Sequence, residues 1–273
     1  MGKFIKMDIL GKDFSSLKNK KLYLFDMDGT IYRENTLFDG VKELLSGITA
    51  RGGKYVFITN NSSKSVVDYI DKLSKMGLDV TEDNFFTSSQ AATMIFKEKF
   101  GDKLIYCQGT RSFVKELREA GLNITEEYDE KARVVLVGFD TELTMDKLRN
   151  TCKMLTNLDL PYYATNPDWV CPVDFGYVPD CGSMCFGIEK ATGKTPIFIG
   201  KPQPTMIEVV MKKFNFDKSE TVVFGDRIYT DIASGVNAKV TSVLVLSGEA
   251  TMEDYNNSEI KPDFVLKSIT DML

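Results

Sequence analysis

Short apolar runs that end in polar residues recur along this 273-residue chain, and they constrain its fold more than any other feature. Leu22–Phe25 ends at Asp26, and Lys54–Ile58 ends at Thr59. Between these runs, residues 37–50 carry apolar side chains at helical spacing, and a Gly-Gly pair follows them. A buried strand, a helix and a second buried strand form the unit from which parallel sheets are built. The pattern therefore predicts an α/β fold.

The same alternation returns near the end of the chain and, separately, in its middle. The later apolar runs predict three more strands of a Rossmann-like, doubly wound parallel sheet, at Pro196–Ile199, Thr221–Phe224 and Val243–Leu246. The middle runs predict the strands of an inserted α/β domain, at Leu104–Tyr106, Val134–Val137 and Tyr162–Ala164. We place the core domain at 1–87 and 193–273 and the inserted domain at 88–192.

Composition excludes several classes of protein. The sequence has no histidine, which removes Ser-His-Asp triads and histidine-ligated metals. Its five cysteines are an odd number at irregular spacing, so we expect free thiols. A net charge of −5 without a basic cluster argues against nucleic acid as a partner. No apolar run is long enough to cross a membrane and the opening stretch lacks the apolar core of a signal peptide, so we expect a cytoplasmic protein.

Two acidic clusters follow predicted strands directly. Asp26 and Asp28 come after the first strand, and Asp226 follows Thr221–Phe224 with Gly225 between them. Open α/β sheets bind their ligands at the carboxyl ends of their strands. Carboxylates crowded at one place repel one another unless a divalent cation or a shared proton compensates. If these strand ends lie side by side, the three acids are suited to holding one Mg²⁺ ion.

Two further strand ends carry groups that suit a phosphate. Thr59 and the amides after it lie between a strand and a helix that Ser62 or Ser63 is expected to cap, and such a turn is a suitable cradle for an anion. Lys201 follows the strand at Pro196–Ile199 and supplies a positive charge for phosphoryl oxygens or for the carboxylates.

Taken in order, DMDGT at 26–30, ITNNSS at 58–63, GKP at 200–202 and GDRIYTD at 225–231 resemble the motifs of the haloacid dehalogenase (HAD) superfamily. The resemblance covers nearly the whole chain. The long insertion resembles the α/β cap of subclass IIA, and ATNPD at 164–168 together with CGSMCFGIEKATGK at 181–194 resembles the NagD-like branch. The implied activity is that of a Mg²⁺-dependent phosphatase.

The resemblance also implies a role for each matching residue. Asp26 is the expected nucleophile, which forms an aspartyl-phosphate, and Asp28 is the expected general acid and base. Crowding beside Asp26 is expected to raise the pKa of Asp28. The other implied roles are phosphate binding by Thr59, Asn60 and Asn61, orientation of Asp26 and phosphate by Lys201, and metal binding by Asp26, Asp28 (through its backbone carbonyl), Asp226 and Asp231.

The implied substrate is a small phosphorylated metabolite, such as a sugar phosphate, a nucleoside monophosphate or p-nitrophenyl phosphate. Asn166 and Asp168 are candidates for contacting its leaving group, because this segment lies on the cap surface that faces the core in the branch it resembles. The resemblance leaves open a homo-oligomer formed through the cap.

Other chemistries use a similar arrangement of strand-end acids. A phosphoaspartate receiver module shares the doubly wound fold, but it needs neither the second domain nor an acid at the position of Asp28. A phosphomutase or a dehalogenase on the same scaffold is a further alternative, and Asp28 favours phosphate chemistry over dehalogenation.

Overall fold

The apolar runs of the sequence form strands in the computed structural model, which describes residues 6–173 and 175–273. Residues 1–5 of the predicted core range lie outside the described residues. The strands are β1 (Leu22–Phe25), β2 (Tyr32–Arg33), β3 (Thr36–Leu37), β4 (Lys54–Thr59), β5 (Phe85–Thr87), β6 (Ile105–Gln108), β7 (Ile124–Thr125), β8 (Val134–Val137), β9 (Tyr162–Ala164), β10 (Val170–Val173), β11 (Gly176–Pro179), β12 (Ile197–Phe198), β13 (Thr221–Gly225), β14 (Thr241–Val245) and β15 (Phe264–Leu266).

The α-helices connect these strands. They are α1 (Val41–Ala50), α2 (Val66–Lys75), α3 (Ser88–Phe100), α4 (Arg111–Glu119), α5 (Met145–Asn157), α6 (Cys181–Thr192), α7 (Thr205–Phe214), α8 (Ala233–Ala238) and α9 (Met252–Asn257). Short 3₁₀ turns lie at Ser15–Asn19, Glu82–Asn84, Lys218–Glu220 and Ile269–Met272, and a π-helical turn lies at Ile228–Ile232.

A six-stranded sheet has the order β15-β14-β13-β1-β4-β5. Every pair from β15 across to β4 is parallel. The chain runs outward from β1 to β4 and β5, and later outward on the other side from β13 to β14 and β15. This reversal of direction beside β1 defines a doubly wound sheet, in which ligands bind where the strand order reverses. The predicted Rossmann-like α/β fold is confirmed.

The centre of this sheet is buried because its strands are continuously apolar. All four residues of β1 and all five of β13 are buried. The rings of Phe25 and Phe224 stack across the two strands with their centroids 4.9 Å apart. Burying one such side chain stabilises the fold by roughly 1.5–3 kcal/mol, so this pair fixes the register of the strands that carry the acidic residues.

A second sheet contains five strands in the order β12-β9-β8-β6-β7, and its pairs are parallel. Its three predicted strands are confirmed as β6, β8 and β9 within one or two residues. Buried side chains from the sheet and from α5 and α6 form one core, among them Tyr106, Val135, Leu155 and Ile188. None of the five cysteines forms a disulfide, which agrees with the expectation of reduced thiols.

The strand predicted at Pro196–Ile199 exists, but its assignment to the first sheet is wrong. It is the two-residue strand β12, and Ile197 pairs with Tyr163 at the edge of the second sheet. Ile197 is 58% exposed, whereas β1 and β13 at the centre of the first sheet are fully buried. An apolar run of four residues does not reveal whether its strand lies at an edge or at a centre.

The first helix begins later than residue 37, where the apolar spacing suggests a start. Leu37 pairs with Tyr32 in the small hairpin of β2 and β3. Gly40 then adopts a left-handed conformation with φ of 85°, which favours glycine, and α1 starts at the next residue.

The described residues fall into two compact units. The first comprises residues 6–59, 70–86 and 201–273 and contains the six-stranded sheet. The second comprises residues 60–69 and 87–200, a wider range than the predicted 88–192, and contains the five-stranded sheet. No α-helix in the described part of the chain combines the length and the apolar character needed to cross a bilayer.

Candidate active site

The register of the first sheet brings its two acidic strand ends together. Phe25 of β1 pairs with Phe224 of β13 on one side and with Phe57 of β4 on the other. Asp26 directly follows Phe25, and its backbone N–H donates a hydrogen bond to the carbonyl of Phe224 at 2.9 Å. Asp226 lies two residues beyond Phe224, at the same edge of the sheet. The predicted juxtaposition of the two acidic clusters is thus observed.

Lys201 lies between two of these carboxylates. Its Nζ is 2.6 Å from Oδ1 of Asp26, 2.6 Å from Oδ1 of Asp231 and 3.3 Å from the carbonyl of Ile58, and the residue is 3% exposed. Burial alone would lower the pKa of Lys201, but the carboxylates of Asp231 and Asp26 outweigh that effect and raise it. The ammonium group therefore stays charged and fixes the position of the Asp26 carboxylate.

The π-helical turn after β13 directs Asp231 back toward the strand ends. The N–H of Asp231 donates to the carbonyl of Arg227 at 3.0 Å, and the N–H of Arg227 donates to Oδ2 of Asp231 at 3.1 Å. A Cβ atom on Gly225 would lie 2.2 Å from the Cβ of Asp231, so only glycine fits there. π-helical turns are often found at functional sites.

Three carboxylates converge at the end of the sheet. One oxygen each from Asp26, Asp226 and Asp231 lies within 4.8 Å of the others. Oδ2 of Asp226 accepts the N–H of Glu249 at 2.7 Å, while its buried Oδ1 has no hydrogen-bond partner among the described residues. Burial, followed by the charges of Asp26 and Asp231, raises the pKa of Asp226. A buried carboxylate oxygen of this kind fits a hard cation such as Mg²⁺.

Two glycines enclose Asp226: Gly29, which is part of the DMDGT motif, and Gly248, and neither is among the predicted site residues. A Cβ atom on Gly248 would lie 2.0 Å from Oδ2 of Asp226, and one on Gly29 would lie 2.3 Å from the same atom. The hydroxyl of Ser247 donates to the carbonyl of Gly29 at 2.6 Å, which joins the two loops. A Ser-Gly pair just after an apolar strand is the signal in the sequence that points to this loop.

Asp28 is exposed, unlike the three clustered acids, and its side chain is not one of them. Protein atoms around Asp28 still remove part of its hydration, which raises its pKa. The charge of Lys72 opposes this rise, and that of Asp26 adds to it. The direction agrees with the expectation, but partial burial rather than crowding by Asp26 is the main cause. No signal in the sequence identifies Lys72 as a residue near Asp28, because lysines are common on helices such as α2.

Thr59 ends β4 and is buried, beside the strand that ends at Asp26. The turn that follows contains two asparagines in different roles. Asn60 is buried, and Oδ1 of Asn61 accepts the backbone N–H and the hydroxyl of Ser63 at 2.9 and 2.7 Å. Phosphate binding by Thr59, Asn60 and Asn61 stays a prediction.

The expected cap of α2 is wrong. The helix begins at Val66, and Ser65 exchanges hydrogen bonds with Asp68, which is the capping-box arrangement. Ser62 is buried instead, and its hydroxyl accepts the N–H of Phe139 at 2.9 Å. Three serines within four residues offer several candidate caps, so the sequence pattern alone is ambiguous.

Asn166 and Asp168 lie in the second unit together with Asn60. The side-chain amide of Asn166 is 0% exposed and donates to the carbonyl of Asn60 at 3.0 Å. Nδ2 of Asn60 is 3.0 and 3.3 Å from the two carboxylate oxygens of Asp168. Contact of Asn166 and Asp168 with a leaving group stays a prediction.

Comparison with known proteins places the chain in a family. A model of the haloacid dehalogenase-like hydrolases matches residues 23–123, and a HAD-hydrolase-like model matches residues 198–272. An acid sugar phosphatase from Staphylococcus aureus is 31% identical over 94% of this chain and 98% of that protein. Among solved structures, a 4-nitrophenylphosphatase from Thermotoga maritima is 39% identical with a TM-score of 0.89, covering 94% of this chain and 97% of that one. NagD from E. coli K-12 is 30% identical with a TM-score of 0.85, covering 92% and 98%.

The fold and these matches together define the class of the protein. The chain belongs to the haloacid dehalogenase-like hydrolases, with a Rossmann-like core and an inserted α/β cap domain. Within them it is a phosphatase of the NagD-like branch of subclass IIA. The relatives span both units of the chain, which favours an enzyme over a receiver module.

Proposed function

We propose that this phosphatase hydrolyses small phosphomonoesters with Asp26 as the nucleophile. The observation that carries the proposal is the pair of 2.6 Å contacts from Lys201 to Asp26 and Asp231, beside the unpartnered oxygen of Asp226. A buried lysine that orients a strand-end carboxylate next to an unsatisfied acid is an arrangement suited to phosphoryl transfer.

In the first step, a carboxylate oxygen of Asp26 forms a bond to phosphorus while the bond from phosphorus to the leaving oxygen breaks. The product of this step is an aspartyl-phosphate on Asp26 and a free alcohol. The charge of Lys201 offsets the repulsion between the carboxylate and the phosphate dianion, and it also holds Asp26 in one orientation.

Asp28 supplies and removes the proton in this proposal. Its raised pKa favours the protonated carboxyl, which donates its proton to the leaving oxygen. In the second step the Asp28 carboxylate takes a proton from the attacking water, the bond from phosphorus to Asp26 breaks, and inorganic phosphate is released. Its exposure gives Asp28 access to the alcohol and to water.

Asp26, Asp226 and the backbone carbonyl of Asp28 would hold Mg²⁺, and Asp231 would support the surrounding water. When bound, the ion neutralises charge on the phosphoryl oxygens. Oδ1 of Asp231 accepts Lys201 and Oδ2 accepts the N–H of Arg227, which suits Asp231 to a supporting position.

The proposed substrates are small phosphorylated metabolites such as sugar phosphates, with nucleoside monophosphates and p-nitrophenyl phosphate as further candidates. Support comes from the relatives described as an acid sugar phosphatase and as a 4-nitrophenylphosphatase, each matched along nearly its whole length.

Phosphate release from a panel of these esters, with Mg²⁺ or with EDTA, tests the proposal. Wild type should turn over with Mg²⁺ only, and Asp26→Asn should lose at least about a thousandfold in kcat, because covalent catalysis is removed. Asp28→Asn should lose most of its turnover. Asp159→Asn is a matched control, since the side chain of Asp159 is 97% exposed, and it should behave as wild type.

Three results would contradict separate parts of the proposal. Equal rates in Mg²⁺ and in EDTA would show that turnover does not require the metal. Near-normal turnover by Asp28→Asn would show that Asp28 does not transfer the proton. Acid quenching during turnover should trap phosphate on wild type but not on Asp26→Asn. Trapped phosphate on the variant would place the nucleophile elsewhere.

A further inference from the structure

The backbone carbonyl of Asn60, the residue after Thr59, accepts two buried hydrogen bonds. One comes from Nδ2 of Asn166 at 3.0 Å, and the other from the hydroxyl of Ser88 at 2.7 Å. Both donor residues are 0% exposed. Removing either donor leaves a buried carbonyl with one partner fewer, and such a loss carries a free-energy cost.

The side chain of Asn60 is held as well. Its Nδ2 lies 3.0 and 3.3 Å from the carboxylate oxygens of Asp168, and the N–H of Asp168 donates to Oδ1 of Asn166 at 3.0 Å. A Cβ atom on Gly200, the residue before Lys201, would lie 2.4 Å from Oδ1 of Asn60. Asn60 therefore packs directly against the backbone at Gly200.

Both polar groups of the Asn166 side chain take part in these contacts. Its amide nitrogen binds the Asn60 carbonyl, its amide oxygen binds the Asp168 N–H, and no part of the residue reaches the surface. In this conformation the side chain of Asn166 presents no exposed atom to a leaving group. It helps to determine where the backbone of Asn60, the residue after Thr59, lies.

We propose that Asn166 and Asp168 are positioning residues, which act on phosphoryl transfer through Asn60 rather than by contact with the leaving group. The inference rests on the proposed function and on the predicted binding of the phosphoryl group by the turn at Thr59 and Asn60. An effect transmitted through this turn reaches the phosphoryl group that all substrates share. It is therefore the same for every ester, whereas leaving-group contact discriminates between esters.

Ser88→Ala and Asn166→Ala test the proposal, because each removes one donor to the same carbonyl and Ser88 is no candidate for leaving-group contact. Each variant should lose roughly tenfold or more in kcat/KM, since small displacements of catalytic groups carry large penalties. The factor should be equal across sugar phosphates, nucleoside monophosphates and p-nitrophenyl phosphate. The inhibition constant of inorganic phosphate, which has no leaving group, should rise in both variants.

Thr151→Val is the matched control. Thr151 is 0% exposed, and its hydroxyl donates to Oε1 of Gln108 at 2.6 Å in the same unit. This variant should lower the Tm while leaving kcat/KM and the phosphate inhibition constant unchanged. The control therefore separates the effect of lower stability from the effect of a displaced Asn60 backbone. If Asn166→Ala does not fold, Ser88→Ala carries the test.

An active wild type overturns the inference if Ser88→Ala keeps normal kcat/KM, or if the loss in Asn166→Ala varies several-fold between esters. An inhibition constant of phosphate that is unchanged in both variants also overturns the inference. A wild type that hydrolyses no ester overturns the proposed function and this inference with it. The two failures are therefore distinguishable.

Discussion

The carboxyl ends of the two parallel sheets are built from different chemistry. At the end of the six-stranded sheet, Asp26, Asp226 and Asp231 lie together, and the ammonium group of Lys201 pairs with Asp26 and Asp231. Past the strands of the five-stranded sheet, neutral amides and hydroxyls bond mainly to one another and to backbone carbonyls, as Asn166 does. The first arrangement concentrates charge, whereas the second consists mainly of neutral groups, with the carboxylate of Asp168 among its acceptors.

This difference has an energetic reason. Buried charges of one sign destabilise a fold unless a counter-charge or a ligand compensates them, so they persist where chemistry requires them. A satisfied neutral network costs little and specifies one geometry. In the proposed mechanism, the first sheet supplies reactive groups and the second supplies fixed positions.

The largest effect is expected where the charge balance is broken. Lys201→Met should abolish turnover and lower the free energy of unfolding by about 3–5 kcal/mol, because Asp26 and Asp231 lose their buried counter-charge. Denaturant unfolding and phosphate release measure the two effects. The double variant Lys201→Met/Asp231→Asn should recover stability but not activity. If the double variant does not recover stability, the loss of charge compensation is not the reason why Lys201→Met is less stable.

A smaller effect is expected from crowding the acidic end without changing its charge. Gly248→Ala should lower kcat/KM by roughly ten- to a hundredfold, because the added Cβ would lie 2.0 Å from Oδ2 of Asp226 and must displace it. Steady-state kinetics at several Mg²⁺ concentrations measure this. Gly187→Ala is the control, since nothing lies within 4 Å of its added Cβ, and it should stabilise α6 by about 0.5–1 kcal/mol. Equal kinetics in both variants would refute the close approach.

Glu116 in the second unit offers a contrast with Asp26 and Asp231, because it is a carboxylate for which the described residues provide no ion pair. Oε2 of Glu116 is buried and unpartnered among the described residues, and burial, with smaller contributions from Asp68 and Glu119, raises its pKa from 4.5 to about 7. The protonated form fits the fold, so stability is complete below pH 4.5 and falls as the pH rises through about 7. The loss is about 2 kcal/mol, reduced from about 3 kcal/mol for partial exposure.

Urea unfolding at pH 5 and pH 8 tests this expectation. Glu116→Gln should reduce the decrease in stability between the two values by about 2 kcal/mol, whereas Glu119→Gln, whose side chain is 67% exposed, should not. The same decrease in the free energy of unfolding between pH 5 and pH 8 in wild type and in Glu116→Gln would contradict the assignment.

The smallest effect is expected from one bond of the neutral network. Ser62→Ala removes the acceptor of the Phe139 N–H and a contact to the hydroxyl of Thr165 at 3.0 Å, at a cost of about 1–2 kcal/mol. Urea unfolding measures it, with Ser74→Ala on the exposed face of α2 as a control that should change by less than about 0.5 kcal/mol. A loss as large as that of Lys201→Met would show that the two sheet ends do not differ as argued.

The sequence predicts the first sheet well because its central strands are continuously apolar and end abruptly in acids. β1 and β13 leave no doubt about where Asp26 and Asp226 lie. The sequence does not show which sheet contains β12, because a strand of two partly exposed residues can pair with the edge of either sheet. Lys201 still reaches Asp26, because its contact depends on the segment after the strand and not on the sheet that contains it.

Tertiary contacts decide the remaining features of the site. The burial of Asn166 depends on Asn60, which is 106 residues away in the sequence. The approach of Gly248 to Asp226 depends on how two loops pack, and glycine is common in loops whether or not a side chain lies against it. Local patterns identify the chemistry of a segment, and they do not record which other segment covers it.

The glycine walls around Asp226 also limit how this pocket can change over evolutionary time. Glycine has no side chain that a substitution could shorten, so every single substitution at Gly29 or Gly248 makes the space around Asp226 smaller. A single mutation can close the pocket, whereas enlarging it requires a loop of different length. Variation among related proteins is therefore expected as insertions beside these two positions, with the glycines themselves unchanged.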